Sequence, residues 1–147
     1  MGANGNLVKN FIFDFDGTLF FTKKANYEAY RRAFSDVGIM LTEEQYSSVY
    51  GLRADDLFSA IAPMLSDDQV RHVRQQKANY YRQLIPQIEP NIDLIHFMKW
   101  MKHTHQMALV TTASKANVMP ILEHFGLDNF FDVSVYGEDV VIGKPNP

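Results

Sequence analysis

Hydrophobic positions along the chain change period twice. Residues 7–14 ("LVKNFIFD") form a short, nearly all-apolar run that predicts a strand buried on both faces, as in a parallel sheet. Residues 23–87 then carry helical spacing. Tyr27, Tyr30, Phe34 and Val37 recur at intervals of three and four, and Gly38 suits a helix C-terminus. Thr42 followed by Gln45 is a capping-box pattern. Ser66, with acidic residues behind it and basic ones further along, opens another helix whose apolar positions are Val70, Val73, Tyr80, Tyr81 and Leu84. From residue 90 the pattern alternates. "NIDLIHFMKWMKHT" reads as an amphipathic helix and "QMALVTT" as a buried strand. "KANVMPILEHFGL" reads as a helix closed by Gly126, and "FFDVSVYG" as a further strand.

One strand, a helical block of about 65 residues and then helix–strand alternation do not describe a simple connection, because loops in compact domains run to a handful of residues. The economical arrangement is an α/β, Rossmann-like parallel-sheet core from residues 1–20 and 88–147, with an α-helical domain inserted at 21–87. In such sheets ligands gather at the carboxyl ends of strands. Asp14, Thr112 and the loop after Tyr136 occupy those ends.

Composition removes several alternatives. A formal net charge of -3 supplies no domain-wide basic field, so nucleic acid is not an expected partner. Zero Cys excludes a disulfide framework, a thiol nucleophile and a thiolate metal site. No apolar run approaches the ~20 residues that span a bilayer. The opening "MGANGNLVKN" lacks the apolar stretch of a secretory signal, and Asn6 stands where myristoylation needs Ser or Thr. A cytoplasmic chain with no membrane partner is expected.

"FIFDFDGTLF" puts two carboxylates one residue apart at the tip of an apolar strand. At an effective dielectric near 20 such a pair repels by roughly 4 kcal/mol, so a cation should sit between them or one should hold a proton. Mg²⁺ answers the first need, since it takes oxygen ligands and often only one or two carboxylates plus phosphate. A division of labour answers the second, with one acid as nucleophile and the other as proton donor. "VTTAS" offers hydroxyls and backbone N–H groups before a helix, a ready anion site. "GKP" offers Lys144 on a loop. A phosphate monoester dianion beside ionised Asp14 carries three negative charges, and Mg²⁺ with Lys144 supplies three positive ones. The five His residues do not show the spacing of a metal site on one helix face.

With "DFDGTL", "LVTTAS" and "GKPNP" in this order, and a helical block after the first, the chain resembles the haloacid dehalogenase superfamily. The likeness is to its branch of phosphoglycolate phosphatases and β-phosphoglucomutase, and it runs along nearly the whole sequence. The resemblance implies Asp14 as the residue that becomes phosphorylated. It implies Asp16 as the acid–base catalyst, whose backbone carbonyl also binds Mg²⁺, so that Asp14 and Asp16 are the metal ligands. Thr112 and the Ala113 amide would hold phosphoryl oxygens, with Lys144 neutralising charge. The activity implied is Mg²⁺-dependent hydrolysis of a small phosphorylated metabolite through an aspartyl-phosphate.

The family's fourth motif, an acidic pair completing the Mg²⁺ site, lies beyond the last residue here. The missing strands would lie beside the first strand, leaving it an edge. If the polypeptide ends at Pro147, weak Mg²⁺ binding and little turnover are expected. Asn26 stands where β-phosphoglucomutase has His, which disfavours the mutase alternative. Asn91 replaces a common Gly with no evident consequence. Arg53 and Lys77 fall in helical segments that face the active site in relatives and suit an anionic substrate, although a solvated helix face explains basic residues equally well. A mutase returning the phosphoryl group to a sugar, and a non-catalytic fragment binding a phospho-ligand or protein, remain the alternatives.

Overall fold

The structure, a computed structural model, describes residues 10–144. Two compact units divide the chain, one of Met1–Phe20 with Pro90–Pro147, the other of Phe21–Glu89. β2 (Phe20–Phe21) and β3 (Glu89–Pro90) pair with each other where the chain crosses from one to the other.

The first unit is built on a parallel sheet ordered β1-β4-β5, from β1 (Asn10–Phe13), β4 (Gln106–Val110) and β5 (Val133–Val135). Its register sets Phe13 beside Leu109 and Leu109 beside Ser134. Met107 and Leu109 are fully buried, as are Val118 and Ile121 of α6 (Lys115–His124), while α5 (Ile92–Met101) contributes Met98. Asp132 pins the start of β4. Its Oδ2 accepts from Met107 N–H at 2.8 Å and from Lys102 Nζ at 2.6 Å, and the Lys102 hydrogen bond, with that from Met107, holds the carboxyl below its ordinary range.

Burial of β1 departs from expectation. Residues 7–9 lie outside the described segment, and the strand buries one face rather than two: Phe13 is 8 % exposed but Ile12 is 71 % exposed. Among the described residues β1 pairs only with β4, so it is the sheet edge that the family resemblance implied. An apolar edge invites pairing with another strand, and natural sheets blunt such edges with charge. Ile12→Lys should therefore reduce self-association of the 147-residue chain in sedimentation velocity while shifting stability by no more than about 0.5 kcal/mol. A chain that sediments identically with and without the substitution would refute this.

The second unit is helical: α1 (Lys23–Ser35), α2 (Glu43–Val49), α3 (Ala54–Ile61) and α4 (Asp67–Leu84). The Thr42–Gln45 capping box forms as expected, and Ser66 makes a second with Gln69. Gly38 adopts φ +79°, which lets Ile39 N–H return to Phe34 O at 2.9 Å and closes α1. The buried stripe of α1 is Ala25, Ala29, Ala33 and Phe34. Tyr27 and Tyr30 are only half-buried, flanking a core of Phe34, Leu41, Tyr46, Val49, Leu57, Phe58 and Val73. Small residues at intervals of four let a second helix approach closely, while the tyrosines cover the margin. No helix among the described residues is long and apolar enough to cross a membrane.

Candidate active site

Asp14 is the first residue after β1, and the chain turns at once. Phe15 O accepts N–H bonds from Leu19 at 3.0 Å and Phe20 at 3.2 Å, while Gly17 N–H returns to Phe20 O at 2.8 Å. The turn requires φ +76° at residue 17, open to Gly and strained for other residues. Phe15, Leu19 and Phe20 are buried and anchor it, so Asp14 and Asp16, on either side of Phe15, remain partly exposed. Thr18 Oγ1 makes a long 3.5 Å contact to Asp14 Oδ2.

Asn91 fastens this turn from a distance in sequence, which gives it a consequence the sequence did not show. Its backbone N–H donates to Leu19 O at 2.8 Å and its side-chain Nδ2 to Thr18 O at 3.1 Å. Its Oδ1 accepts from Leu94 N–H and caps α5.

The end of β4 supplies the next groups. Thr111 is buried, its N–H donating to Val135 O at 3.0 Å and its Oγ1 accepting from Ala113 N–H at 3.0 Å. Thr112 is exposed. The two adjacent hydroxyls thus divide: Thr111 braces the loop from within, and Thr112 faces outward. Ala113 N–H is already engaged, so using it for a phosphoryl oxygen requires sharing that hydrogen with Thr111. Lys144 completes the group. Its Nζ donates to Asp14 Oδ1 at 2.5 Å and to Val110 O at 3.2 Å. A Cβ at the neighbouring Gly143 would stand 4.0 Å from Thr112 Cγ2. Residues 130 positions apart in sequence therefore meet at the strand ends. Pro145 of the "GKP" motif lies outside the described residues.

Asp14 and Asp16 offer the hard oxygen donors that suit Mg²⁺, and that ion is commonly held by one or two carboxylates with phosphate and water completing its shell. Among the described residues no group of three or more His, Asp or Glu side chains gathers to form a site by itself.

Arg53 and Lys77 belong to the helical unit and differ in setting. Arg53 is exposed and immediately precedes α3. Lys77 is only 6 % exposed, with its ammonium 4.2 Å from the Tyr81 ring centre and 5.0 Å from that of Tyr30. It is not a solvated helix-face lysine. Aromatic faces stabilise a desolvated cation. Asn26 Nδ2 donates to Tyr81 OH at 3.4 Å, and burial pushes the Tyr30 phenol above its ordinary range.

Comparison with known proteins bears on the family and the fold. The sequence pattern of haloacid dehalogenase-like hydrolases matches residues 11–147. A phosphorylated carbohydrates phosphatase of Thermotoga maritima is 26% identical over 141 residues, covering 92% of this chain and 64% of its own length. The pyrophosphatase PpaX of Halalkalibacterium halodurans is 30% identical over 149 residues, covering 95% of this chain and 65% of its own. The chain thus spans a little under two thirds of these relatives. The crystal structure of CbbY from Rhodobacter sphaeroides in complex with phosphate superposes with a TM-score of 0.83 at 20% identity. It covers 95% of this chain and 68% of that one, and shares the fold. A match that runs from β1 to the last residue makes this chain a member of the haloacid dehalogenase-like hydrolase family.

Proposed function

We propose that this chain carries the nucleophile and phosphate-handling residues of a Mg²⁺-dependent phosphatase for a small phosphorylated metabolite. The observation that carries the reading is Lys144 Nζ held against Asp14 Oδ1 at the tip of β1, beside the exposed Thr112 loop. A carboxylate and an ammonium so placed give a nucleophile next to a cation that offsets phosphoryl charge. The relatives' names, a phosphorylated carbohydrates phosphatase and a pyrophosphatase, point to the same substrate chemistry.

In the proposed reaction an Asp14 carboxylate oxygen attacks phosphorus in line. The Asp14 O–P bond forms as the ester P–O bond breaks, and Asp16 gives its proton to the departing alkoxide. Water then attacks the aspartyl-phosphate, Asp16 takes the proton from that water, and inorganic phosphate leaves with Asp14 restored. Thr112 and Ala113 N–H hold the non-reacting oxygens, and Lys144 neutralises them. Mg²⁺, held by Asp14 and Asp16, would supply the remaining positive charge. Arg53 and Lys77 are assigned to recognition of the anionic substrate. In Lys77 the Tyr30 and Tyr81 faces keep a cation away from water, where an anion attracts it more strongly.

The test is phosphate release from a panel of sugar phosphates, a two-carbon phospho-acid and pyrophosphate, with Mg²⁺ and with chelator. With the full-length polypeptide, Mg²⁺-dependent release from at least one is expected. A panel that, with that polypeptide, yields isomerised sugar phosphate without free phosphate, or nothing at all, would overturn the proposal.

A further inference from the structure

From Val135, the last residue of β5, to Glu138 the chain is fitted to the Thr112 loop. Val135 O accepts Thr111 N–H. The Gly137 N–H donates to Ala113 O at 3.0 Å, and a Cβ at Gly137 would fall 2.2 Å from Thr112 O. That contact is with backbone, so no side-chain adjustment relieves it. Only Gly lets the two backbones lie this close. Glu138 then reaches across, its Oε1 accepting from Lys115 N–H at 2.8 Å. Lys115 is the first residue of α6, and its N–H is among the groups at that end that the helix itself leaves without a partner. Ser114, at the N-cap position, makes no side-chain cap bond, so Glu138 does what a capping side chain does elsewhere. Six residues further on is Lys144, which reaches Asp14 and Val110.

We infer that Gly137 and Glu138 are positioning residues that hold the phosphate-binding loop, residues 111–115, in the geometry catalysis requires. The inference rests on the phosphatase reading for its consequence, but not for its geometry. Glu138 touches no reacting atom in this scheme. It acts through the Lys115 amide, and through it on Thr112 and Ala113 next door. An alternative role for a carboxylate near an anion site is purely electrostatic, and it carries the opposite sign: removing a negative charge would strengthen binding of a phosphate dianion. The glutamine variant separates the two, because it keeps an acceptor for Lys115 N–H and discards the charge.

The experiment uses the full-length polypeptide with Glu138→Ala, Glu138→Gln and Gly137→Ala. Two readouts are amide hydrogen exchange at residues 112–115, and kinetics with p-nitrophenyl phosphate and Mg²⁺. Glu138→Ala should speed exchange at Lys115 about tenfold and raise KM about fivefold, with kcat within twofold and Tm nearly unchanged. Glu138→Gln should restore both exchange and KM to near wild-type values. Gly137→Ala should raise KM at least as much as Glu138→Ala. The inference is overturned if Glu138→Ala leaves Lys115 exchange within twofold of wild type, if it lowers KM, or if Glu138→Gln is as impaired as Glu138→Ala. Should the wild type turn over no ester while the exchange pattern shifts as described, the loop assignment holds and the phosphatase reading fails.

Discussion

Asp14→Asn should abolish phosphate-ester hydrolysis, lowering kcat by at least about 10³-fold, while leaving the protein folded. The loss follows from chemistry rather than architecture. Asn has the shape of Asp but its amide oxygen is too weak a nucleophile to displace an alkoxide from phosphorus, so the covalent route closes. A factor of 10³ corresponds to about 4 kcal/mol of barrier. Stability should barely respond. The Asp14 and Lys144 side chains are 39% and 44% exposed, and ion pairs of that kind contribute about 0–1 kcal/mol. The measurement pairs initial-rate kinetics with thermal unfolding of the same preparation. Activity within tenfold of wild type in a well-folded Asp14→Asn protein would remove Asp14 as nucleophile. A variant that fails to fold would show instead that the carboxylate is needed by the turn. Intact-mass detection of a phosphorylated wild-type chain, absent from the variant, discriminates further.

What the sequence revealed about this molecule depended on how local each signal was. The strand tip, the Thr42–Gln45 capping box, the helix start at Ser66 and the Lys144 loop are written in neighbouring residues, and all appear in the structure. The apolar side of α1 was legible in part: Tyr27, Tyr30, Phe34 and Val37 lie in or against the core, but the small Ala25, Ala29 and Ala33, which share the buried face, gave no signal by size. Lys77 was legible in retrospect: Val73, Lys77 and Tyr81 stand four apart on α4, so a residue between two buried positions on one face is buried too. Other features had no local trace. Exposure of Ile12 depends on which strands flank β1, a property of sheet order rather than of "FIFD". Asn91 and Glu138 act through side chain to backbone bonds spanning 73 and 23 residues, and nothing beside either residue announces its partner. The motif alone points to Thr112; the structure adds that Thr111 continues the alternation of buried Met107 and Leu109 and so lies inside, with Thr112 out.

Lys144→Ala tests whether the cation at the strand tip serves the reaction or only the resting structure. In the resting protein Lys144 neutralises Asp14 and bonds the last carbonyl of β4, and both contacts lie at a partly exposed surface. If that were its whole purpose, removing it would change stability by about 1 kcal/mol or less and leave turnover almost intact. In the proposed phosphoryl transfer the balance is different. A dianionic phosphoryl group beside ionised Asp14 gathers three negative charges at one strand tip, and without Lys144 one of them is left unopposed by the protein. Charge that must be neutralised as the P–O bonds exchange is where a fixed cation has its largest effect. Lys144→Ala should accordingly lower kcat/KM by about 10²–10³-fold, roughly 3–4 kcal/mol of transition-state stabilisation. Lys144→Arg should retain part of the activity, because it keeps the charge but not the compact point geometry of an ammonium. Because the neutralising charge is electrostatic and partly exposed, the loss should also shrink in the presence of a small primary amine such as ethylamine, which can enter the vacated position. A Lys144→Ala protein with kcat/KM within fivefold of wild type would assign the lysine to structure alone and leave phosphoryl charge to be balanced by other groups.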